Sequence, residues 1–307
     1  MQAKFQTESN DAAILPSPLQ RLHHPLLHRY GVELWCKRDD LIHPTISGNK
    51  WRKLKYHLLH AKAQGKQHLL SFGGAYSNHI HALAAAGCQA GLRTTGIIRG
   101  ESHAVSNSTL QDARRWGMDL VFVDRQSYRQ RQDPEWLAQF AASDTLIVPE
   151  GGSSPLAITG VAELVGEVPF SPDLWVLPCA SGGTLAGLIA GKRQPEQILA
   201  IAVLKGGGFI ADEVCRLHPA ATSIPGWRIA LDHHDGGYAK FSPDLWLWVQ
   251  DFSAQTGLPL EPIYSGKAMW GLFRELAAGR IAPGSKIIFI HTGGMQGLAG
   301  LKEQGRL

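Results

Sequence analysis

In SGNKWRKLKYHLLHAKAQG, Trp51, Leu54, Leu58 and Ala61 recur at helical spacing, and Ser47 or Asn49 can cap the first turn, which places Lys50 at a helix N-terminus. The partial positive charge at that end disfavours a second cation and lowers its pKa. An amine held nearer neutrality is suited to act as a nucleophile or a base. A lysine taken alone is ordinarily a solvated surface residue, so its companions in the sequence decide the matter.

Two glycine-rich loops supply that context. Ser181-Gly182-Gly183-Thr184 follows an apolar strand and opens an apolar helix. Small residues let backbone N–H groups approach an anion, the helix dipole attracts it and two hydroxyls add hydrogen bonds, so the loop reads as a phosphate site. It lacks a Walker lysine and the G-x-G-x-x-G order of a dinucleotide fold, which argues against a nucleotide. Gly73-Gly74-Ala75-Tyr76-Ser77-Asn78-His79 is again strand, loop and helix start. Ser77 and Asn78 suit helix capping; the free N–H groups there also suit a substrate carboxylate, and the Asn78 amide a ring oxygen.

These loops need elements to carry them. HLLSFGGAYSNHIHALAAAG (68–87), LWVLPCASGGTLAGLIAG (174–191) and KIIFIHTGGMQGLAGL (286–301) each run from an apolar strand through a Gly-rich turn into a helix, as parallel βα units do. TTGIIRG, DLVFVD, TLIVPEGG and ILAIAVL read as weaker strands. The expectation is an α/β fold with a mostly parallel sheet. At 307 residues the chain exceeds one ordinary core, so two domains are expected. PEGGSSPLAITG (149–160) is the best boundary candidate, and 205–245 reads as an irregular, loop-rich connection. The uncharged run 174–191 reaches the length of a membrane span, but Pro178 and the Ser-Gly-Gly-Thr break make it a buried strand, loop and helix.

Composition narrows the function classes. Hydrophobic residues at 44% and charged residues at 18% are ordinary for a globular protein. Thirty Lys and Arg against 26 Asp and Glu leave a scattered +4, which gives nucleic-acid binding no support. Cys36, Cys88, Cys179 and Cys215 lie far apart, so no metal site or disulfide framework is indicated and a reduced, cytoplasmic setting is expected. The start, MQAKFQTESNDAAILPSP, has no apolar core, so neither a signal peptide nor a membrane partner is expected.

Taken in order, ELWCKRDD, SGNKWRKLKYHL, SFGGAYSNH, VPEGGSS, ASGGTLAG, PIYSGKAMWGL and IHTGG resemble the 1-aminocyclopropane-1-carboxylate deaminase and D-cysteine desulfhydrase family of pyridoxal-phosphate enzymes, over nearly the whole chain. The resemblance implies a fold-type-II arrangement, two open, mostly parallel α/β domains with pyridoxal 5'-phosphate in the cleft between them. Residues 46–160 would form the smaller domain, with Lys50 and the substrate loop, and residues 1–45 with 161–307 the larger, cofactor-binding one. A small amino-acid substrate and a homodimer are also implied. By position, Lys50 matches the Schiff-base lysine and Asn78 the residue beside the cofactor's phenolic oxygen. Ser181, Gly182, Gly183 and Thr184 match the phosphate loop, and Thr292 falls at the cofactor. Ser77 matches a serine placed for the substrate, with Asn78 and His79 beside it, and Tyr264 an active-site tyrosine. Tyr238 falls at the spacing of a second tyrosine, although GGYAKFSP departs from the Tyr-Gly sequence of relatives.

Ring-opening members of the family have Glu after the Tyr of Tyr-x-Gly-Lys and Leu before the late Gly-Gly, where this chain has Ser265 and Thr292. A carboxylate at the pyridine nitrogen keeps it protonated and strengthens the ring as an electron sink, and a hydroxyl does so poorly. Expulsion of thiolate needs less carbanion delocalisation than ring opening. The resemblance therefore points to β-elimination of D-cysteine to pyruvate, sulfide and ammonia, with Lys50 as base. It ranks behind this the deamination of 1-aminocyclopropane-1-carboxylate to 2-oxobutyrate and ammonia, and a non-catalytic cofactor-binding protein. Three departures bear on the substrate: Tyr76 where relatives carry Gln, GGMQGL in place of GGAPAL, and His233 and His234, which read as solvated loop residues.

Overall fold

The alternation of apolar runs and glycine-rich turns folds into two separate sheets in the computed structural model, which describes residues 13–101 and 107–307. Residues 1–12, most of the stretch read above as lacking an apolar leader, lie outside that description. In chain order the strands are β1 (Leu19–Leu22), β2 (Glu33–Lys37), β3 (His68–Gly74), β4 (Arg93–Arg99), β5 (Met118–Val123), β6 (Thr145–Ile147), β7 (Leu174–Cys179), β8 (Gln197–Ala202), β9 (Trp227–Ala230) and β10 (Lys286–Ile290). One sheet runs β1-β2-β10-β7-β8-β9 and the other β5-β4-β3-β6. All pairings are parallel except β1 with β2, as the βα pattern predicts.

Strands covered on both faces read as unbroken apolar runs, and β7 and β10 are such strands. Their side chains alternate between two cores. Val176, Ile287 and Phe289 meet Phe252, Met269 and Leu272 on one face, while Trp175, Leu177 and Ile288 meet Leu188 and Val214 on the other. The smaller sheet has its own core of Leu69, Ile80, Leu83 and Ile98. The loops that follow β3, β7 and β10 leave the carboxyl ends of parallel strands, where ligands gather in open α/β sheets.

The second half of the segment 149–160 opens a helix, Pro155–Gly166, that packs against both the Lys50 helix (Asn49–Ala63) and the helix Gly183–Gly191. A buried ionic knot reinforces this seam. Arg52 binds Asp39 at 2.7 Å and Glu167 at 2.7 Å, and Lys37, fully buried, reaches Glu167 at 2.6 Å. Residues 205–245 depart from the loop-rich expectation. They contain the amphipathic helix Phe209–Leu217, which buries Ile210, Val214 and Leu217, and β9, which extends the larger sheet. Residues 174–191 form β7, a loop and a helix as expected, and among the described residues no helix is long and apolar enough to cross a membrane.

Candidate functional site

Lys50 is the second residue of its helix, but neither expected cap acts. The N-cap is Gly48 at φ 70° with no side-chain bond, and the Thr292 carbonyl lies where a Cβ would stand, so the approach requires glycine. Ser47 Oγ donates to the Asp40 carbonyl at 3.2 Å and Asn49 Nδ2 to Thr184 Oγ1 at 2.8 Å, while the Asn49 N–H donates to the Thr292 carbonyl at 3.2 Å. Tertiary bonds have taken the groups that local propensity assigned to capping. They pin the start of the helix to the loop after β10 and to Thr184.

Lys50 Nζ donates to the Gly151 carbonyl at 3.1 Å. Burial of the amine, opposed by Glu150, lowers its pKa to about 8. Lys53, one helical turn on and 1% exposed, donates to the same carbonyl at 3.3 Å and to Ser153 Oγ at 3.1 Å. Burial, and then Lys50, pushes its pKa well below the usual lysine value. Lys53 escaped the sequence reading; its one signal was the i, i+3 spacing that sets it on the same face as Lys50.

Ser153 Oγ is 3.0 Å from Ser181 Oγ, and Gly183 lies so close to Ser153 that any side chain there would collide with it. The helix Gly183–Gly191 starts from Gly182 without a side-chain cap, leaving its first N–H groups without intrahelical partners. Free amides, the hydroxyls of Ser153, Ser181 and Thr184 and a buried lysine fit a phosphate dianion. Lys50, which shares the Gly151 carbonyl with Lys53, sets an amine of lowered pKa beside that pocket, as an aldehyde cofactor carrying a phosphate requires.

Across from it, Ser77 caps the helix Asn78–Ala90 by accepting from the Ile80 N–H at 3.3 Å, which leaves the hydroxyl hydrogen free to donate. The Asn78 amide lies against Gly294 in the loop after β10, and Glu261 flanks the same glycine. Tyr264 donates to the Tyr238 hydroxyl at 3.0 Å, with the rings T-shaped at 6.0 Å. Burial, and then Tyr238, raises the Tyr264 pKa well above that of an ordinary phenol.

Glu261 is the second residue the sequence reading missed. It is 2% exposed and accepts from the N–H groups of Ile263 (2.7 Å), Tyr264 (2.9 Å) and Ser265 (2.6 Å) and from Ser265 Oγ (3.0 Å). Burial raises its carboxyl pKa against the pull of those bonds. Ser265 Oγ also accepts from the Glu261 N–H at 3.0 Å. The Ser265 proton is thus directed at Glu261, so toward a ring nitrogen this hydroxyl can only accept.

His79 does not join the group. It is 2% exposed, and its Nε2 is 2.8 Å from Ser71 Oγ, whose own proton goes to the Val148 carbonyl at 2.7 Å. Nε2 therefore carries the imidazole proton, and Nδ1 is a bare acceptor facing Gly152. Burial, then Lys50 and Lys53, holds its pKa well below the usual value. Enclosed in this way, the side chain packs against Gly152 of the Gly151–Ser153 turn. His233 also differs from its reading as a solvated residue: it is 8% exposed, with Nε2 2.8 Å from Glu275 Oε1. Tyr76 packs on Gly300 of the C-terminal helix (Gly297–Glu303), two residues beyond the GGMQGL departure.

Two parallel-rich sheets, with an amine of lowered pKa next to an uncapped, glycine-opened helix, make this a fold-type-II pyridoxal-phosphate enzyme. The chain belongs to the pyridoxal-phosphate dependent enzyme family, which it matches over residues 11–293. It is 29% identical to the mitochondrial bifunctional D-cysteine desulfhydrase/1-aminocyclopropane-1-carboxylate deaminase of Arabidopsis thaliana, over 93% of this chain and 78% of that one. It is also 29% identical to the D-cysteine desulfhydrase of Yersinia pestis (strain Pestoides F), over 92% of each. A crystal structure described as an ACC deaminase homologue superposes with a TM-score of 0.83 at 27% identity, covering 96% of this chain and 94% of that one.

Proposed function

We propose that the chain eliminates the β substituent of a small amino acid, D-cysteine first among them, to give pyruvate, sulfide and ammonia. The observation that carries this reading is the Lys50 amine, brought near neutrality beside the pocket of Lys53, Ser153 and Ser181. Bound there, pyridoxal phosphate supplies the electron sink for charge developing at Cα. Lys50 takes the Cα proton as general base, for which a pKa near the working pH is the efficient value. The free Ser77 hydrogen and the N–H groups at the start of the Asn78 helix would hold the substrate carboxylate, and the Asn78 amide would hydrogen-bond the cofactor's ring oxygen. Ser181 to Thr184 would hold the phosphate, and Thr292 would contribute to holding the cofactor. Tyr264 stays protonated and donates to Tyr238, which leaves the Tyr238 proton for the departing thiolate as the C–S bond breaks.

Deamination of 1-aminocyclopropane-1-carboxylate is a second reading, favoured by Glu261, a buried carboxylate against Ser265 at the same helix start. One panel separates the two. D-cysteine, L-cysteine, β-chloro-D-alanine and 1-aminocyclopropane-1-carboxylate are offered to the loaded enzyme and to Lys50→Ala. Pyruvate from D-cysteine that vanishes with Lys50 supports elimination, and 2-oxobutyrate supports ring opening. No keto acid from any of them would leave a cofactor-binding protein without this activity. The division into residues 46–160 and the remainder belongs to the same proposal, supported by the origin of β3 to β6 within that span. So do a homodimer and a cytoplasmic setting.

A further inference from the structure

The loop that carries Tyr238 is strained on both sides of it. Asp235 has φ 45° and Ala239 φ 55°, left-handed values that non-glycine residues rarely adopt, and the tyrosine is 50% exposed. Such conformations persist only where the surroundings over-determine them. Two cations grip this loop. Lys267, fully buried and one turn beyond Tyr264 in the helix Ser265–Ala277, donates from Nζ to the Gly237 carbonyl at 2.7 Å and to the Val203 carbonyl at 3.2 Å. Arg306 Nη2 donates to the Ala239 carbonyl at 2.7 Å, with its guanidinium 4.8 Å from the Phe241 ring centre. The carbonyls before and after Tyr238 are each held by a cation, while its hydroxyl meets Tyr264.

Burying an ammonium is costly, and an apolar side chain of similar volume would ordinarily fill such a space at least as stably. Asp235 and Glu261 face Lys267 and offset part of that cost, while Arg306 adds to it. What the cation adds over an apolar residue is direction: it fixes one carbonyl of one loop relative to β8 and to the helix that bears Tyr264.

We infer that Lys267, seconded by Arg306, is a positioning residue that holds Tyr238 over the site. What Tyr238 does there rests on the elimination reading; how it is held does not.

Four proteins test this: wild type, Lys267→Met, Tyr238→Phe and the double variant. Hydrogen exchange is followed at Gly237, Lys240 and Ser242, whose N–H groups bond within the loop. Lys267→Met is expected to raise exchange there about tenfold and lower kcat for D-cysteine about tenfold, with KM and the visible band of the lysine-bound cofactor little changed. In the Tyr238→Phe background the same substitution is expected to lower kcat less than about twofold, because the group being positioned is gone. Unchanged exchange, or an equal loss in both backgrounds, overturns the proposal. Should Lys267→Met not fold, Arg306→Gln at an exposed side chain carries the test. It is expected to raise loop exchange about threefold and lower kcat about twofold where Tyr238 is present; if both stay at the wild-type value, the clamp is overturned. Absence of turnover in all four proteins would remove the elimination reading, and the exchange rates would still decide whether Lys267 holds the loop.

Discussion

Lys53 Nζ stands 3.1 Å from Ser153 Oγ in a part of the site where both residues are buried. The partners of this amine are a hydroxyl and a carbonyl, and burial drives its pKa well down. An arriving dianion reverses that balance, because it stabilises the charged form of the lysine and receives charge-assisted hydrogen bonds from it. Lys53→Met is expected to weaken binding of pyridoxal phosphate about 100-fold, the worth of one or two such bonds. Pyridoxal, which lacks the phosphate, is expected to bind both proteins alike. Absorption titrations of the apoprotein with the two aldehydes measure this, and equal losses for both would take Lys53 out of the phosphate pocket.

Lys50 gives a pH prediction with a definite sign. An amine is nucleophilic only when unprotonated, and burial sets this one at about 8. Capture of pyridoxal phosphate by the apoprotein is expected to accelerate as pH rises through about 8 and then level off. An unperturbed lysine would continue to gain up to about 10.4. The growth of the visible band after rapid mixing, followed from pH 6.5 to 10, reads the midpoint. A midpoint near 10 would mean that the amine is not buried in solution.

The places of Ser77 and of Ser181 to Thr184 at helix starts were legible in the sequence for one reason. A strand, a glycine-rich turn and a helix fix locally where free N–H groups point, so the chemistry is written within a dozen residues. Lys53 and Glu261 were not legible, because their roles depend on partners brought from elsewhere. Lys53 sits in a lysine-rich amphipathic helix and becomes buried only when Ser153, 100 residues away, closes over it. Glu261 precedes a proline and looks like a turn residue, yet it accepts the N–H groups of Ile263 and Tyr264 and that of Ser265, the first residue of the following helix. The converse error occurred at Ser47 and Asn49, whose capping propensity lost to bonds with Asp40 and Thr184. The helix Phe209–Leu217 was hidden by the glycines before it, although Ile210, Val214 and Leu217 keep helical spacing.

The Glu261 bonds also carry stability. One carboxylate oxygen accepts from Tyr264, Ser265 and the Ser265 hydroxyl, and the other from Ile263. Glu261→Gln must turn an NH2 group toward at least one of these donors, leaving a buried donor without an acceptor. A loss of about 2 kcal/mol is expected, seen as a lower denaturation midpoint at unchanged slope. Retention of full stability would mean that the helix start does not depend on this carboxylate.

Glu275 gathers three cationic or hydrogen-bonding partners at one buried carboxylate. It is 2% exposed and accepts from Arg228 and Arg280 at 2.6 Å each and from His233 at 2.8 Å. Burial alone would raise its pKa, but Arg280, His233 and Arg228 outweigh that and bring it to about 2. The ordinary value is 4.5, so between the two the unfolded chain binds more protons than the folded one. The stabilisation is therefore complete above pH 4.5 and is lost as pH falls toward 2. Both arginines are about half exposed, so solvent screens the pairs, and Glu275→Gln is expected to lower stability by about 2 kcal/mol at pH 7. The gap between wild type and Glu275→Gln should narrow steadily below pH 4.5 in denaturant titrations, since acid removes from the wild type the same charge that the substitution removes. A gap that stays constant down to the lowest pH at which the protein folds would trace the loss to packing and not to the carboxylate.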